Sequence, residues 1–229
     1  MQSWKQRAHA PNTPRLFNLG MSKSGSTSLS SYFTCHNLNG FHYKKCLPVT
    51  GSGAHPPHAC AFCVINALER NVTIESTCGE FDYFAEFNYK STLNNGTFQC
   101  LFPTFTHLDA IDAMYPGSKY FMPMRNVNKW LDSAKHWGNM VSRFDRCLTD
   151  MHIPELGQNK YERVAGMYLL HAKRVREYYK ARPVNANHSL QRVMVHLDLL
   201  ENTDHYVVRC APTYSVLDAL PSICVMQLC

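Results

Sequence analysis

RLFNLGMSKSGSTSLSSYF, Arg15 to Phe33, passes from an apolar run through a glycine- and serine-rich turn into a helix start. Leu16-Phe17-Asn18-Leu19 predicts a short buried strand within Arg15–Leu19. Gly20 to Thr27 is the turn, and Ser28 to Phe33 lies in a helix predicted from about Gly25 to Cys35. This order makes an anion cradle, because N–H groups left unpaired at a helix start point at a ligand and the helix dipole favours negative charge there. Gly20 and Gly25 let the backbone approach closely, and Lys23 adds a mobile positive charge. The expected guest is a phosphate or a close chemical relative.

The loop of kinases and ATPases reads GxxxxGK[ST], with Lys directly after the second Gly. Gly20 and Gly25 have that separation, but Ser26 follows Gly25 and Lys23 lies two residues before it. A second segment adds to this. SKYFMPMR, Ser118 to Arg125, predicts a buried strand, which NVNKWLDS, Asn126 to Ser133, carries into a helix. Together the two segments resemble the sulfotransferases that use 3′-phosphoadenosine 5′-phosphosulfate (PAPS). The turn resembles their 5′-phosphosulfate loop, commonly GxxKxGTT, with Ser26 where Thr is commoner. Arg125 at a strand end, with Ser133 eight residues on and Trp130 between, resembles their 3′-phosphate motif. LDAIDAMYPG, Leu108 to Gly117, resembles the helix and turn that precede it. The resemblance covers roughly Arg15 to Glu201.

It implies a single α/β domain, 15–201, with a central parallel sheet flanked by helices in a P-loop NTPase-like sulfotransferase architecture. PAPS is then the co-substrate and no metal is needed. Ser22, Lys23, Ser24, Gly25, Ser26, Thr27 and Ser28 would hold the 5′ end, and Arg125 and Ser133 the 3′-phosphate. Lys23 would stabilise charge on the leaving phosphate. The acceptor, a glycan or small molecule bearing a hydroxyl or amine, needs a general base, for which sulfotransferases use His or a carboxylate. FDYFAEF, Phe81 to Phe87, resembles a D-x-x-x-[DE] region of one branch of the family, so Asp82 is the first candidate, Glu86 the second and His42 the third. Two other functions stand beside this one: a catalytically impaired relative that binds a nucleotide, and a P-loop kinase.

Composition narrows the classes. A chain of 229 residues with formal charge +6 suits an anionic nucleotide, but the charge is spread without a Lys/Arg block, so nucleic acid is not favoured. No window is long and apolar enough to span a membrane. The polar tail 1–14 reads as neither a signal peptide nor an anchor, so the chain is expected either to begin after an anchor or to be soluble. Ten cysteines include the pair Cys60 and Cys63. A second pair at zinc spacing is lacking, so disulfides in an oxidising lumen are the better reading. Sequons at Asn71, Asn95 and Asn187 add little, since they arise by chance among so many Asn, Ser and Thr; the resemblance implies the Golgi lumen or secretory pathway, with the cytoplasm as alternative.

Along the chain, Gly40–Tyr43 predicts a second strand, 48–57 a loop, Ala59–Arg70 a helix and Tyr161–Ala181 a long amphipathic helix. Arg192–Leu200 predicts a last core strand of the one parallel sheet. The basic loop that closes the family's nucleotide site has no match in 202–229, a divergent or truncated segment.

Overall fold

The computed structural model describes residues 15–43, 46, 60–93, 96–153 and 156–181, with the backbone of three further strand segments. In chain order the elements are β1 (Leu16–Asn18), α1 (Ser26–Cys35), β2 (Gly40–His42), α2 (Cys60–Glu69), α3 (Ile74–Cys78), β3 (Tyr83–Glu86), β4 (Tyr89–Thr92) and β5 (Phe98–Leu101). There follow α4 (Pro103–Thr106), α5 (Leu108–Met114), β6 (Lys119–Phe121), α6 (Val127–Lys135), α7 (Met140–Asp150), α8 (Lys160–Lys180), β7 (Val195–His196), β8 (Tyr206–Cys210) and β9 (Cys224–Met226).

Four strands form a parallel sheet in the order β2-β3-β1-β6. Leu16 pairs with Tyr83 on one side and with Lys119 on the other. Side chains alternate across it. Leu16, Tyr83 and Ala85 pack with Leu29 and Phe33 of α1. Phe17, Phe41 and Phe84 face the opposite way, onto α2, α3, α5 and α8. The phenyl rings of Phe17 and Phe84 stack at 4.6 Å. Helices on both faces are what a parallel sheet needs to bury its strands. A second core joins α6, α7 and α8 around Trp130, Phe144 and Tyr168. Side-chain caps start two of these helices: Asn126 accepts from the N–H groups of Asn128 and Lys129, and Asn159 from those of Tyr161 and Glu162. Among the described residues no helix is long and apolar enough to cross a membrane.

The α/β class and the parallel sheet agree with the expectation, and three details do not. The strand expected to run to Arg125 stops at Phe121, because Pro123 has no N–H to give a ladder. Tyr89–Thr92 and Phe98–Leu101 form an antiparallel hairpin outside the parallel sheet. Val195–His196 does not join that sheet either. It pairs antiparallel with β8, which pairs with β9, and antiparallel partners need only a short connection. The expected loop 48–57 lies outside the described residues.

Disulfides join Cys46 to Cys60, Cys63 to Cys78 and Cys100 to Cys147, and Cys35 is also disulfide-bonded. The first two lie side by side, with the sulfurs of Cys46, Cys63 and Cys78 within 4.8 Å of one another. The first ties the start of α2 to Cys46, in the segment after β2, and the second ties α2 to α3. The third pins α7 to β5.

Candidate functional site

The chain runs from β1 outward to β2, back to β3, then across to β6 on the other side of β1. Ligands in such sheets sit outside the carboxyl ends of the strands, where the order reverses. The turn after β1 occupies that place. Asn18 shapes its entry: its side chain accepts from Gly20 N–H at 2.8 Å and donates to the Ala85 carbonyl at 2.5 Å. A Cβ on Gly20 would stand 2.7 Å from Ser24 Oγ and 2.8 Å from Pro123 Cγ, so the close approach requires glycine. Gly25, at φ 100°, caps α1 in the left-handed region. The N–H groups of Lys23, Gly25, Ser26, Thr27 and Ser28 have no acceptor among the described residues. That is the donor set an anion would use.

Lys23 is itself left-handed, at φ 72°. Its ammonium rests 4.1 Å from the ring centre of Trp137, an exposed indole just past α6. A cation over an indole face is held by the ring's quadrupole.

Glu86, at the carboxyl end of β3, is buried beneath the turn. Ser22 Oγ donates to one of its carboxylate oxygens. Ser26 Oγ donates to the other at 2.7 Å, and His42 Nε2 lies 3.2 Å from that same oxygen. Since Ser26 gives its hydrogen to Glu86, His42 turns an Nε2–H toward that carboxylate and leaves Nδ1 as its other ring nitrogen. That Nδ1 has no partner among the described residues. Lys90, at the start of β4, donates to Ser22 Oγ at 2.8 Å and lies 4.5 Å from the ring centre of Phe144. Burial alone would raise the Glu86 carboxyl. The hydrogen bond from His42, the Lys90 charge and the two serine hydroxyls outweigh it and hold the group at about 2. Burial pulls Lys90 down to about 8, with Glu86 opposing that fall and Arg143 adding to it.

The second segment meets the turn through Trp130 of α6, whose indole N–H donates to the Ser22 carbonyl at 2.8 Å. Tyr168 of α8 stacks on Trp130 at 4.4 Å and takes both backbone groups of Arg125: its hydroxyl accepts from Arg125 N–H at 2.7 Å and donates to the carbonyl at 3.1 Å. His171 Nε2 donates to the Leu19 carbonyl at 2.6 Å. Arg125 thus has a fixed backbone, while its Nε is buried with no hydrogen-bond partner among the described residues. Ser133 is half-buried on α6, two turns past Arg125.

The structure therefore gathers Ser22, Lys23, Ser24, Gly25, Ser26, Thr27, Ser28, His42 and Glu86 at one end of the sheet. It does not bring Asp82 there. Asp82 precedes β3, at the amino end, where its carboxylate accepts from Asn39 N–H at 2.7 Å. Four residues of strand separate it from Glu86, roughly 13 Å at strand rise. An Asp82→Asn protein is expected to melt at lower temperature with unchanged nucleotide affinity. Weakened nucleotide binding with an unchanged melting curve would return Asp82 to the site. The sequence reading missed Lys90 and Trp137. A Lys between Tyr89 and Ser91, in a strand next to an aromatic run, was the available signal for the first. Trp137 carried none.

Compared with protein-family models and with curated proteins, the chain matches none.

Proposed function

We propose that this protein is a PAPS-dependent sulfotransferase of P-loop-like architecture, acting on a hydroxyl acceptor. The observation that carries the reading is the pairing of two orphaned donor sets: the free N–H groups and Lys23 of the turn, and the buried, unpartnered Nε of Arg125. Trp130 ties the two segments together. A buried guanidinium N–H without an acceptor costs free energy unless a ligand supplies one, and a phosphate oxygen is a strong candidate.

The co-substrate supplies an electrophilic sulfur with a phosphate leaving group. Catalysis then rests on positioning and charge neutralisation. The N–H groups and hydroxyls of Ser24 to Ser28 hold the 5′ end. Arg125, with Ser133 on the following helix, holds the 3′-phosphate. Lys23 leaves the Trp137 face and neutralises charge that grows on the leaving oxygen. His42 Nδ1 takes the acceptor's proton as the new S–O bond forms, and Glu86 stabilises the resulting imidazolium through Nε2. Glu86 acts through His42 rather than on the acceptor.

Glu86 also stands where a kinase would keep a carboxylate for Mg²⁺. Here Ser22, Ser26 and His42 already occupy it, and the Lys90 ammonium disfavours a second cation. Calorimetry separates the two readings. Tighter binding of 3′-phosphoadenosine 5′-phosphate than of ADP, by about tenfold or more for one charged hydrogen bond, is expected without Mg²⁺. Equal affinity for ADP would sink the proposal, because Arg125 would then hold no 3′-phosphate.

A further inference from the structure

Arg143, on α7, packs against the hairpin of β4 and β5. The Cys100–Cys147 disulfide fixes its helix against β5. Its Nη1 donates to the Lys90 carbonyl at 3.2 Å. Its Nε is buried and has no hydrogen-bond partner among the described residues. No carboxylate among them pairs with it. Three hydrogen bonds away, through Lys90 and Ser22, lies Glu86. Glu86 is already bonded to three side chains and has little capacity left for Arg143. The Arg143 charge also reaches Tyr43, the residue after His42, and opposes the rise that burial imposes on the phenol. Among the described residues the neighbourhood thus holds Lys90 and Arg143 against one carboxylate, and Arg143 is the cation without a counter-charge.

A buried guanidinium Nε–H without an acceptor suits an oxygen of a carboxylate. We propose that Arg143 marks an anion subsite beside His42 and Glu86, so that the acceptor is a hydroxyl compound that also carries a carboxylate. This rests on the sulfotransferase reading for the word acceptor and on Arg143 itself for the anion. An acidic sugar and an acidic phenol share the required chemistry.

The test is calorimetry on the protein saturated with 3′-phosphoadenosine 5′-phosphate, using two matched pairs. One is 4-nitrophenyl β-D-glucuronide against the corresponding glucoside. The other is 4-hydroxyphenylacetate against 4-(2-hydroxyethyl)phenol. The carboxylate member of at least one pair is expected to bind about tenfold or more tightly. Arg143→Gln should erase that preference and leave nucleotide affinity unchanged. The pair that responds says whether sugar or phenol is the source. Should Arg143→Gln not fold, Arg143→Lys serves instead: a preference reduced about threefold or more supports the guanidinium contact, and an unchanged one overturns it. No preference in either pair, a preference that survives Arg143→Gln, or an equal loss of nucleotide binding also overturns the subsite. The titration with nucleotide alone tests the underlying reading separately. If the nucleotide fails to bind while a carboxylate preference depends on Arg143, the anion subsite stands and the sulfotransferase reading falls.

Discussion

Glu86→Gln is expected to unfold at markedly lower temperature and to lose turnover by at least about a hundredfold. Glutamine keeps the shape but removes the charge that offsets Lys90. Breaking a buried pair from one side costs about 3–5 kcal/mol, since the remaining charge has no partner. The loss of turnover follows separately, because a positioned acid–base group contributes roughly 10²–10⁴ in rate and His42 would no longer have an anion to stabilise its protonated form. Glu86→Gln combined with Lys90→Met removes both charges and should recover much of the stability but none of the rate. Recovered rate in the double variant would show that Glu86 serves folding alone. Acid provides a second readout. A carboxyl held at about 2, against an ordinary 4.5, contributes stability that is present above 4.5 and is lost as pH falls from 4.5 toward 2. In the double variant the melting temperature should fall less steeply across that window than in the natural protein.

Lys23→Ala is expected to lower turnover by about 10²–10³-fold, the usual loss when one donor to developing charge is removed. Affinity for 3′-phosphoadenosine 5′-phosphate should change little, because the N–H groups of the turn and Arg125 remain. The split between rate and affinity carries the information. An equal fall in both would make Lys23 an ordinary binding residue. Unchanged turnover would mean that its place over Trp137 is its resting role and that another cation serves the leaving group.

Much of the central architecture was legible because its signals are local. A short apolar run, two glycines and a helix start lie within Arg15 to Phe33, and the elements form from neighbours in sequence. Elsewhere, local signals pointed the wrong way or went unread. Ser118 to Arg125 looks apolar throughout, yet Pro123 ends its pairing early. The hairpin of β4 and β5 carried an Asn95-Gly96 turn signal between strands too polar to attract notice. Val195 and His196 pair with a strand beyond them rather than with the sheet expected to receive them.

The site divides along the same line. Lys23 and Arg125 were visible from residue order. Spacing could not tell which of Asp82 and Glu86 lies at the turn, since only the direction of β3 places Glu86 there and Asp82 at the opposite end. His42 comes to Glu86 through the pairing of β2 with β3, where the register shifts between Phe41 and His42. Lys90 and Arg143 depend on how a hairpin and α7 pack, which spacing does not encode.

The backbone of Lys23 bears on how this protein could be improved as a reagent. A non-glycine residue at φ 72° carries strain of order 1 kcal/mol, which glycine would relieve. A directed-evolution screen that rewarded heat resistance alone would therefore drift toward glycine at this position. On the proposed sulfotransferase reading the survivors would be hardier and inert, so selection on this scaffold would have to score sulfated product alongside melting temperature.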